Sequence, residues 1–206
     1  MNILEFKKLP ILGILRGIAS EDVVPLTEAI IASGLKTIEI TMNTVGAPDL
    51  IRKTIKTAGQ KLNVGAGTIT NTEDLKNAID AGATFAVMPV FNKEVVSHCV
   101  KNGIPVFPGA LTPQEINTAW QAGATMVKVF PSGFFGPGYF KEIKEPFDKI
   151  ELLACGGVTP QNIKDYFANG ANAVAFGASI FRKEWLENKD FLSIKKSITD
   201  LIGAYA

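Results

Sequence analysis

The segment Gly123-Ala-Thr-Met-Val-Lys-Val-Phe130 joins the glycine that ends an amphipathic helical stretch to a short apolar strand. The same pattern occurs three more times, at Gly34–Thr41, Gly82–Pro89 and Gly170–Gly177. Glycine suits this place because the residue that ends a helix commonly adopts the left-handed conformation. Four further apolar stretches alternate with these repeats, at Ile11–Gly17, Asn63–Thr68, Pro105–Gly109 and Ile150–Gly157. The sequence therefore predicts eight strands, each followed by a helical segment.

Eight alternating units predict a parallel sheet with crossover helices, closed into a (β/α)8 TIM barrel. We expect a single barrel domain over residues 1–206, near the lower size limit of this fold, with a helical extension at the N-terminus. Three segments predict helix starts through capping residues: Ser20-Glu-Asp22, Thr112-Pro-Gln-Glu115 and Thr159-Pro-Gln-Asn162. The second fits a capping box, and both Thr-Pro pairs place proline at the first helical position.

The composition excludes several classes of protein. The 206 residues carry 21 basic and 20 acidic side chains, a formal net charge of +1, with no run of like charges. No nucleic-acid partner is therefore expected, because such binding requires a concentrated basic surface. The first residues lack the apolar stretch of a signal peptide, and no apolar run approaches the roughly 20 residues that span a bilayer. We expect a cytoplasmic protein that does not contact membranes.

The cysteines and the histidine limit the chemistry. Cys99 and Cys155 offer neither a disulfide framework nor a CxxC metal pair. His98 is the only histidine, which disfavours a histidine-based metal site or a Ser-His-Asp triad. The sequence therefore predicts no metal site and no cofactor.

Alternation along the strands predicts which side chains point into the barrel. Counted from the repeat glycines, positions +4 and +6 are all apolar and suit the face that packs against helices. They are Ile38, Ala86, Val127, Val174, Ile40, Met88, Val129 and Phe176. Position +5, on the opposite face, holds Glu39, Val87, Lys128 and Ala175. Alternate strands supply one layer inside such a barrel, so Glu39 and Lys128 are predicted to share an interior layer.

A charged side chain inside a strand is costly unless it is paired or neutralised. One alternative is a Lys128–Glu39 salt bridge that only holds the barrel closed. Both residues, however, lie near the C-terminal ends of strands, where barrel enzymes keep their chemistry. Burial favours the neutral amine of a lysine, which attacks carbonyl groups, and Glu39 could then move protons. Arg16, near the end of the first strand, is the other interior charge candidate.

Glycine-rich loops form a second pattern. Val64-Gly-Ala-Gly-Thr68 is neither a dinucleotide fingerprint nor a P-loop, because it lacks the third glycine of the first and the Gly-Lys-Ser/Thr of the second. Gly156-Gly157 and Gly177-Ala-Ser179 follow the seventh and eighth predicted strands, where barrels frequently bind phosphate. The alternative is that these glycines only form turns.

Five stretches carry a resemblance to a known family: Ile14-Leu-Arg-Gly17, Ile38-Glu-Ile-Thr41, Val64–Thr68, Val127-Lys-Val-Phe-Pro131 and Gly156-Gly-Val-Thr-Pro160. Over essentially its whole length the chain resembles the 2-keto-3-deoxy-6-phosphogluconate and -phosphogalactonate aldolases. The resemblance implies a homotrimeric class I aldolase that produces pyruvate and glyceraldehyde 3-phosphate. It identifies Lys128 with the Schiff-base lysine and Glu39 with the acid/base. It places Thr68, Pro89 and Phe130 in the pyruvate half of the site, and Gly156, Gly157, Gly177 and Ser179 in the phosphate half.

Two positions depart from the gluconate pattern. Gluconate enzymes have arginine in a Leu-Arg-Thr triplet after the glutamate, whereas this chain has Met42-Asn43-Thr44. They also have threonine where this chain has Cys155 before the two glycines. Asn43 resembles the galactonate subgroup, as do Leu9–Ile18 and Phe130–Pro137. Arg16 is then expected to supply the positive charge that the missing arginine would provide.

Two other functions fit the same pattern. A phosphosugar epimerase or isomerase could use the same phosphate loops, although such chemistry does not require Lys128 within a strand. A non-catalytic sugar-phosphate binding protein is the other alternative, and the presence of both Glu39 and Lys128 argues against it.

Overall fold

The computed structural model describes all 206 residues as a parallel sheet surrounded by helices. The strands are β1 (Ile11–Leu15), β2 (Thr37–Thr41), β3 (Asn63–Gly67), β4 (Ala86–Val87), β5 (Val106–Phe107), β6 (Gly109–Ala110), β7 (Val127–Val129), β8 (Leu152–Cys155) and β9 (Ala173–Phe176). The helices are α1 (Ile3–Phe6), α2 (Val23–Ala32), α3 (Ala47–Ala58), α4 (Thr72–Asp80), α5 (Lys93–Lys101), α6 (Pro113–Gln121), α7 (Gly138–Lys144), α8 (Ile163–Ala168), α9 (Lys183–Glu187) and α10 (Phe191–Tyr205). Short 3₁₀ helices occupy Ser20–Asp22 and Ser132–Phe134. None of the helices combines the length and apolar character that crossing a membrane requires.

The two ends of the sheet are formed by two halves of one interrupted strand, and this brings them together. Parallel ladders join the strands in the order β5-β4-β3-β2-β1-β9-β8-β7-β6. The outermost segments, β5 and β6, are consecutive in the chain and are separated only by Pro108. Proline has no N–H to donate, but its carbonyl accepts from the Lys128 N–H at 2.9 Å. The predicted (β/α)8 barrel is confirmed, with the predicted strand Pro105–Gly109 divided in two.

The four repeat glycines have the predicted backbone conformation. Their φ angles are +91° at Gly34, +95° at Gly82, +94° at Gly123 and +98° at Gly170. Residues with side chains rarely adopt this left-handed region, so glycine lets each helix end and the chain turn into the next strand. The repeat identified in the sequence is therefore a structural unit of the barrel.

The two faces of the strands belong to separate apolar clusters. All eight residues predicted on the outer face are buried in a cluster that also contains helix side chains such as Ile30 and Ile198. Val87 and Ala175, predicted on the inner face, are buried in a second cluster with Leu12 and Leu153. The predicted alternation is confirmed, and the inner face of the barrel is a packed core.

The N-terminal helical extension closes one end of the barrel. Asn2 caps α1 by accepting hydrogen bonds from the backbone N–H groups of Leu4 and Glu5. Phe6 is fully buried in the inner cluster, and its ring lies 6.1 Å from that of Phe107 in an edge-to-face arrangement. Side chains of this extension therefore pack into the N-terminal end of the barrel interior.

One of the three predicted helix starts is confirmed and two are wrong. Thr112 and Glu115 form the predicted capping box, with proline at the start of α6. At Ser20 a 3₁₀ turn precedes α2, which begins at Val23 without a side-chain cap. At Thr159 the side chain of Asn162 accepts from the Thr159 N–H, and this turn delays α8 until Ile163. In both cases a local turn forms hydrogen bonds with the backbone groups that the predicted helix start would have used.

Candidate active site

A cavity of about 760 Å³ opens among the loops that follow the C-terminal ends of the strands. Ten of the residues predicted for the site line it: Arg16, Thr68, Pro89, Lys128, Phe130, Cys155, Gly156, Gly157, Gly177 and Ser179. No three His, Cys, Asp or Glu side chains lie close enough together to hold a metal ion. The cavity therefore brings together residues that end or follow six strands, namely β1, β3, β4, β7, β8 and β9.

Lys128 is the buried basic residue among those that line this cavity. It is the central residue of β7, hydrogen-bonded on both sides through the register with Gly109 and Leu153, and only 6% of it is exposed. Its ammonium lies 5.2 Å from the ring centre of Phe130. No carboxylate oxygen lies within 4 Å of it, so the alternative of a Lys128–Glu39 salt bridge that only holds the barrel closed is wrong. The amine is held by the strand, shielded from bulk water and left free to react.

Glu39 lies deeper than Lys128, in the middle of β2. It is 1% exposed, and its Oε2 atom has no hydrogen-bond partner. Burial raises the pKa of this carboxyl from 4.5 to about 7, although the charges of Lys128 and Arg16 act in the opposite direction. Glu39 can therefore gain or lose a proton near neutral pH, which is what an acid/base requires.

Gly67, the last residue of β3, leaves the space that Glu39 occupies. A Cβ atom at Gly67 would lie 2.2 Å from Oε1 of Glu39, far inside van der Waals contact. Its φ is not in the left-handed region, so the close approach of the carboxylate is the reason for glycine here. The glycine-rich stretch Val64–Thr68 thus lies largely within β3, and its second glycine lets the Glu39 carboxylate lie against the backbone.

Arg16 and Thr68 meet at the mouth of the cavity. Arg16 directly follows the last residue of β1, and its side chain is exposed. The prediction that Arg16 is an interior charge is therefore wrong. The strand ends one residue too early to place this side chain in the core. Its Nη2 donates to the Thr68 hydroxyl at a long 3.4 Å. Thr68 has a φ of +56°, a conformation that costs a β-branched residue about 1–3 kcal/mol. Thr68 therefore places a strained backbone conformation at the cavity wall.

Cys155 ends β8 beside Lys128 and is 3% exposed. Burial raises the pKa of its thiol; the charge of Lys128 lowers it and that of Glu39 raises it. The thiol therefore stays protonated and neutral at the cavity wall.

The predicted phosphate loops are tied to each other. The Ser132 hydroxyl donates to the Gly156 carbonyl at 3.0 Å, and the Ser179 hydroxyl donates to the Val158 carbonyl at 2.8 Å. Gly156 and Gly157 have φ angles of +106° and +74°, which only glycine adopts without strain. These bonds fix the loops after β8 and β9 and leave backbone N–H groups as the donors for a ligand.

Two predicted residues do not line the cavity. Asn43 is exposed in the turn after β2, and Glu39 is buried beneath the cavity wall. The lining includes others that sequence reasoning missed, namely Ile14, Gly17, Ala178, Phe181, Lys183, Leu186 and Glu187. Alternation with Arg16 could have identified Ile14. The residues of α9 carried no signal, because a five-residue helix is too short to show periodicity.

Comparisons with known proteins agree with this arrangement. The family described as KDPG and KHG aldolase matches residues 3–197. The 2-dehydro-3-deoxy-6-phosphogalactonate aldolase of Escherichia coli (strain K12) is 35% identical over 177 residues, covering 85% of this chain and 86% of that protein. A solved structure described as native KDPGal superposes with a TM-score of 0.89 at 31% identity, covering 96% of this chain and 95% of the other. The KDPG aldolase of Legionella pneumophila, solved with pyruvate captured at low pH as a covalent carbinolamine intermediate, superposes with a TM-score of 0.86 at 26% identity, covering 93% of each chain. With a family match over nearly the whole chain and relatives that share its barrel, the chain belongs to the KDPG and KHG aldolase family.

Proposed function

We propose that the protein is a class I aldolase that cleaves a phosphorylated 2-keto-3-deoxy sugar acid through a Schiff base on Lys128. The observation that carries this proposal is the buried amine of Lys128, which faces the cavity without a carboxylate partner. Family membership supports it, and so does the Legionella relative, in which pyruvate was captured covalently. A phosphosugar epimerase, an isomerase or a binding protein does not require such an amine.

The proposed reaction uses Lys128 as the nucleophile and Glu39 as the acid/base. The amine of Lys128 adds to the C2 ketone and water leaves, so that an iminium forms and acts as an electron sink. Glu39, directly or through one water, takes the C4 hydroxyl proton as the C3–C4 bond breaks and the aldehyde departs. The pyruvate enamine left on Lys128 then receives a proton at C3 from Glu39. Water hydrolyses the resulting iminium and releases pyruvate.

Reductive trapping tests the covalent step. Borohydride added in the presence of pyruvate should increase the mass of the peptide that contains Lys128 by that of reduced pyruvate. Peptide mass spectrometry distinguishes this site from the exposed lysines. Labelling at another lysine, or no labelling, would contradict the proposal.

The substrate that best fits the cavity carries a carboxylate at one end and a phosphate at the other. We assign the carboxylate to the region of Arg16 and Thr68, and the phosphate to the loops that contain Gly156, Gly157 and Ser179. The names of the relatives, which include 2-dehydro-3-deoxy-6-phosphogalactonate aldolases and 2-dehydro-3-deoxy-phosphogluconate aldolases, support a six-carbon sugar acid of this kind.

We further propose that the galactonate epimer is preferred over the gluconate epimer. The two substrates differ only at C4, so discrimination must come from groups near the C4 hydroxyl. Cys155 lies beside Lys128, and a thiol is a weaker hydrogen-bonding partner than the hydroxyl of threonine. One neutral hydrogen bond is worth about 0.5–1.5 kcal/mol, so the preference should stay within roughly tenfold.

Comparing kcat/KM for the two epimers checks this preference. Cys155→Thr should move the ratio toward the gluconate epimer, whereas Cys99→Ser, a change at the other buried cysteine and away from the cavity, should leave the ratio unchanged. A strong preference of the wild-type protein for the gluconate epimer would refute the assignment. An unchanged ratio of kcat/KM in Cys155→Thr would mean that this residue does not distinguish the two configurations at C4.

We also propose that the protein works as a homotrimer in the cytoplasm. Its two cysteines are both free and buried, which suits a reducing compartment. Val45, Val90, Phe134 and Phe135 are exposed apolar side chains, and all follow the C-terminal ends of strands. Exposed apolar groups concentrated at one end of a barrel are typical of an oligomer surface. Light scattering should give three times the 22.1 kDa chain mass, and a monomer mass would contradict this proposal.

A further inference from the structure

The loops assigned to phosphate offer no positive charge of their own. Gly156, Gly157 and Gly177 can donate only backbone N–H groups, and the Ser179 hydroxyl already donates its proton to Val158. A phosphate monoester carries a charge of about −1.5 to −2 at neutral pH, and a cation strengthens its binding considerably. A cation that strengthens phosphate binding here would therefore come from elsewhere along the cavity wall.

Three cationic side chains line the cavity: Arg16, Lys128 and Lys183. Lys128 is committed to the covalent step, and Arg16 lies beside Thr68 on the side assigned to the carboxylate. Lys183 begins α9, four residues after Ser179, and its neighbour Arg182 is engaged over the ring of Trp185 at 4.5 Å. Lys183 is thus the cation left for the phosphate half.

Lys183 is held by a carboxylate that also lines the cavity. Its ammonium lies 3.5 Å from Glu187 Oε1, and both side chains are exposed to solvent. Exposed ion pairs one helical turn apart are weak, so a doubly charged phosphate can compete for the lysine. Without Lys183, Glu187 would present an uncompensated negative charge to an anionic ligand.

We propose that Lys183 recognises the substrate phosphate and that Glu187 competes with the phosphate for it. This inference rests on the proposed function, since it names a residue that selects phosphorylated substrates at that site. Lysine suits the task because its flexible stem lets the ammonium move from the carboxylate to the ligand. Glu187 then weakens phosphate binding in the wild-type protein while it holds Lys183 next to the cavity.

Binding of glycerol 3-phosphate, measured by isothermal titration calorimetry, tests the two residues without requiring turnover. Lys183→Ala should raise Kd about tenfold, the loss typical of one hydrogen bond to a charged group. Glu187→Gln should lower Kd about twofold, because the competing charge is removed. Lys196→Ala breaks the equivalent ion pair with Asp200 on α10, away from the cavity, and should leave Kd unchanged.

The opposite signs of the two variants separate phosphate recognition from a structural role of α9. If Lys183 only stabilised the helix through Glu187, both variants would weaken binding, and that result would overturn the inference. A wild-type Kd for Lys183→Ala would overturn it as well. Trapping of pyruvate on Lys128 is read separately: the proposed function fails if trapping fails, whereas this inference fails only on the binding data.

Discussion

Lys128→Arg should lose turnover by about 10⁴-fold or more, because the covalent step requires a neutral amine and the arginine guanidinium stays protonated. The substitution keeps a positive charge on β7, so the electrostatic field at Glu39 changes little. Loss of activity would therefore reflect the missing nucleophile. The release of pyruvate, followed in a coupled assay, measures it.

A matched control is Lys7→Arg, at the opposite end of the barrel, where Lys7 pairs with Glu151 at 2.5 Å. That variant should retain full activity. Thermal unfolding of Lys128→Arg shows whether the larger side chain is accommodated in the packed barrel. A folded variant with activity within tenfold of wild type would mean that Lys128 is not the nucleophile.

Glu39→Gln should slow the exchange of the pyruvate methyl protons with deuterated water by about 10²–10⁴-fold, the usual loss on removing a general base. The Schiff base should still form, since Lys128 is untouched, and borohydride trapping verifies this. Glu151→Gln, at the N-terminal end of β8, is the matched control and should exchange at the wild-type rate. Unchanged exchange in Glu39→Gln, followed by NMR, would assign proton transfer to another group.

The same substitution should change how stability depends on pH. Because burial raises the pKa of Glu39 from 4.5 to about 7, the folded protein binds more protons than the unfolded chain between these values. Its free energy of unfolding therefore falls as pH rises through that window, by about 3 kcal/mol above pH 7. Glu39→Gln should unfold at a higher temperature than wild type at pH 8, with little difference at pH 4.5. Equal melting temperatures at pH 8 would show that the carboxylate is not destabilising.

Much of the barrel can be predicted from local pattern. The glycines at Gly34, Gly82, Gly123 and Gly170 mark helix ends because few other residues adopt a φ near +90°. The alternation of side chains along the strands then distinguishes the inner face from the outer face. It predicted that Lys128 and Glu39 lie inside the barrel, and both are buried. These features depend on steric rules that act within a few residues, which is why they are visible in one sequence.

Features that depend on competing local bonds or on tertiary distances could not be predicted in this way. The turn at Thr159–Asn162 uses a side-chain acceptor that a helix cap would also have used, and nothing local decides between them. The separation of Lys128 from Glu39 depends on how deeply each side chain sits in the closed barrel. Lys183 and Glu187 reach the cavity only because the chain turns back after β9.

Gly67 and Glu39 also constrain the order in which this site can evolve. A methyl group at Gly67 would come within 2.2 Å of the Glu39 carboxylate, so Gly67→Ala is harmful while the acid is present. After Glu39→Ala the same methyl group has room, but the acid is already lost. The two positions are therefore epistatic. A side chain at position 67 therefore becomes tolerable only after Glu39 has been lost, so the glycine must be kept for as long as the acid is.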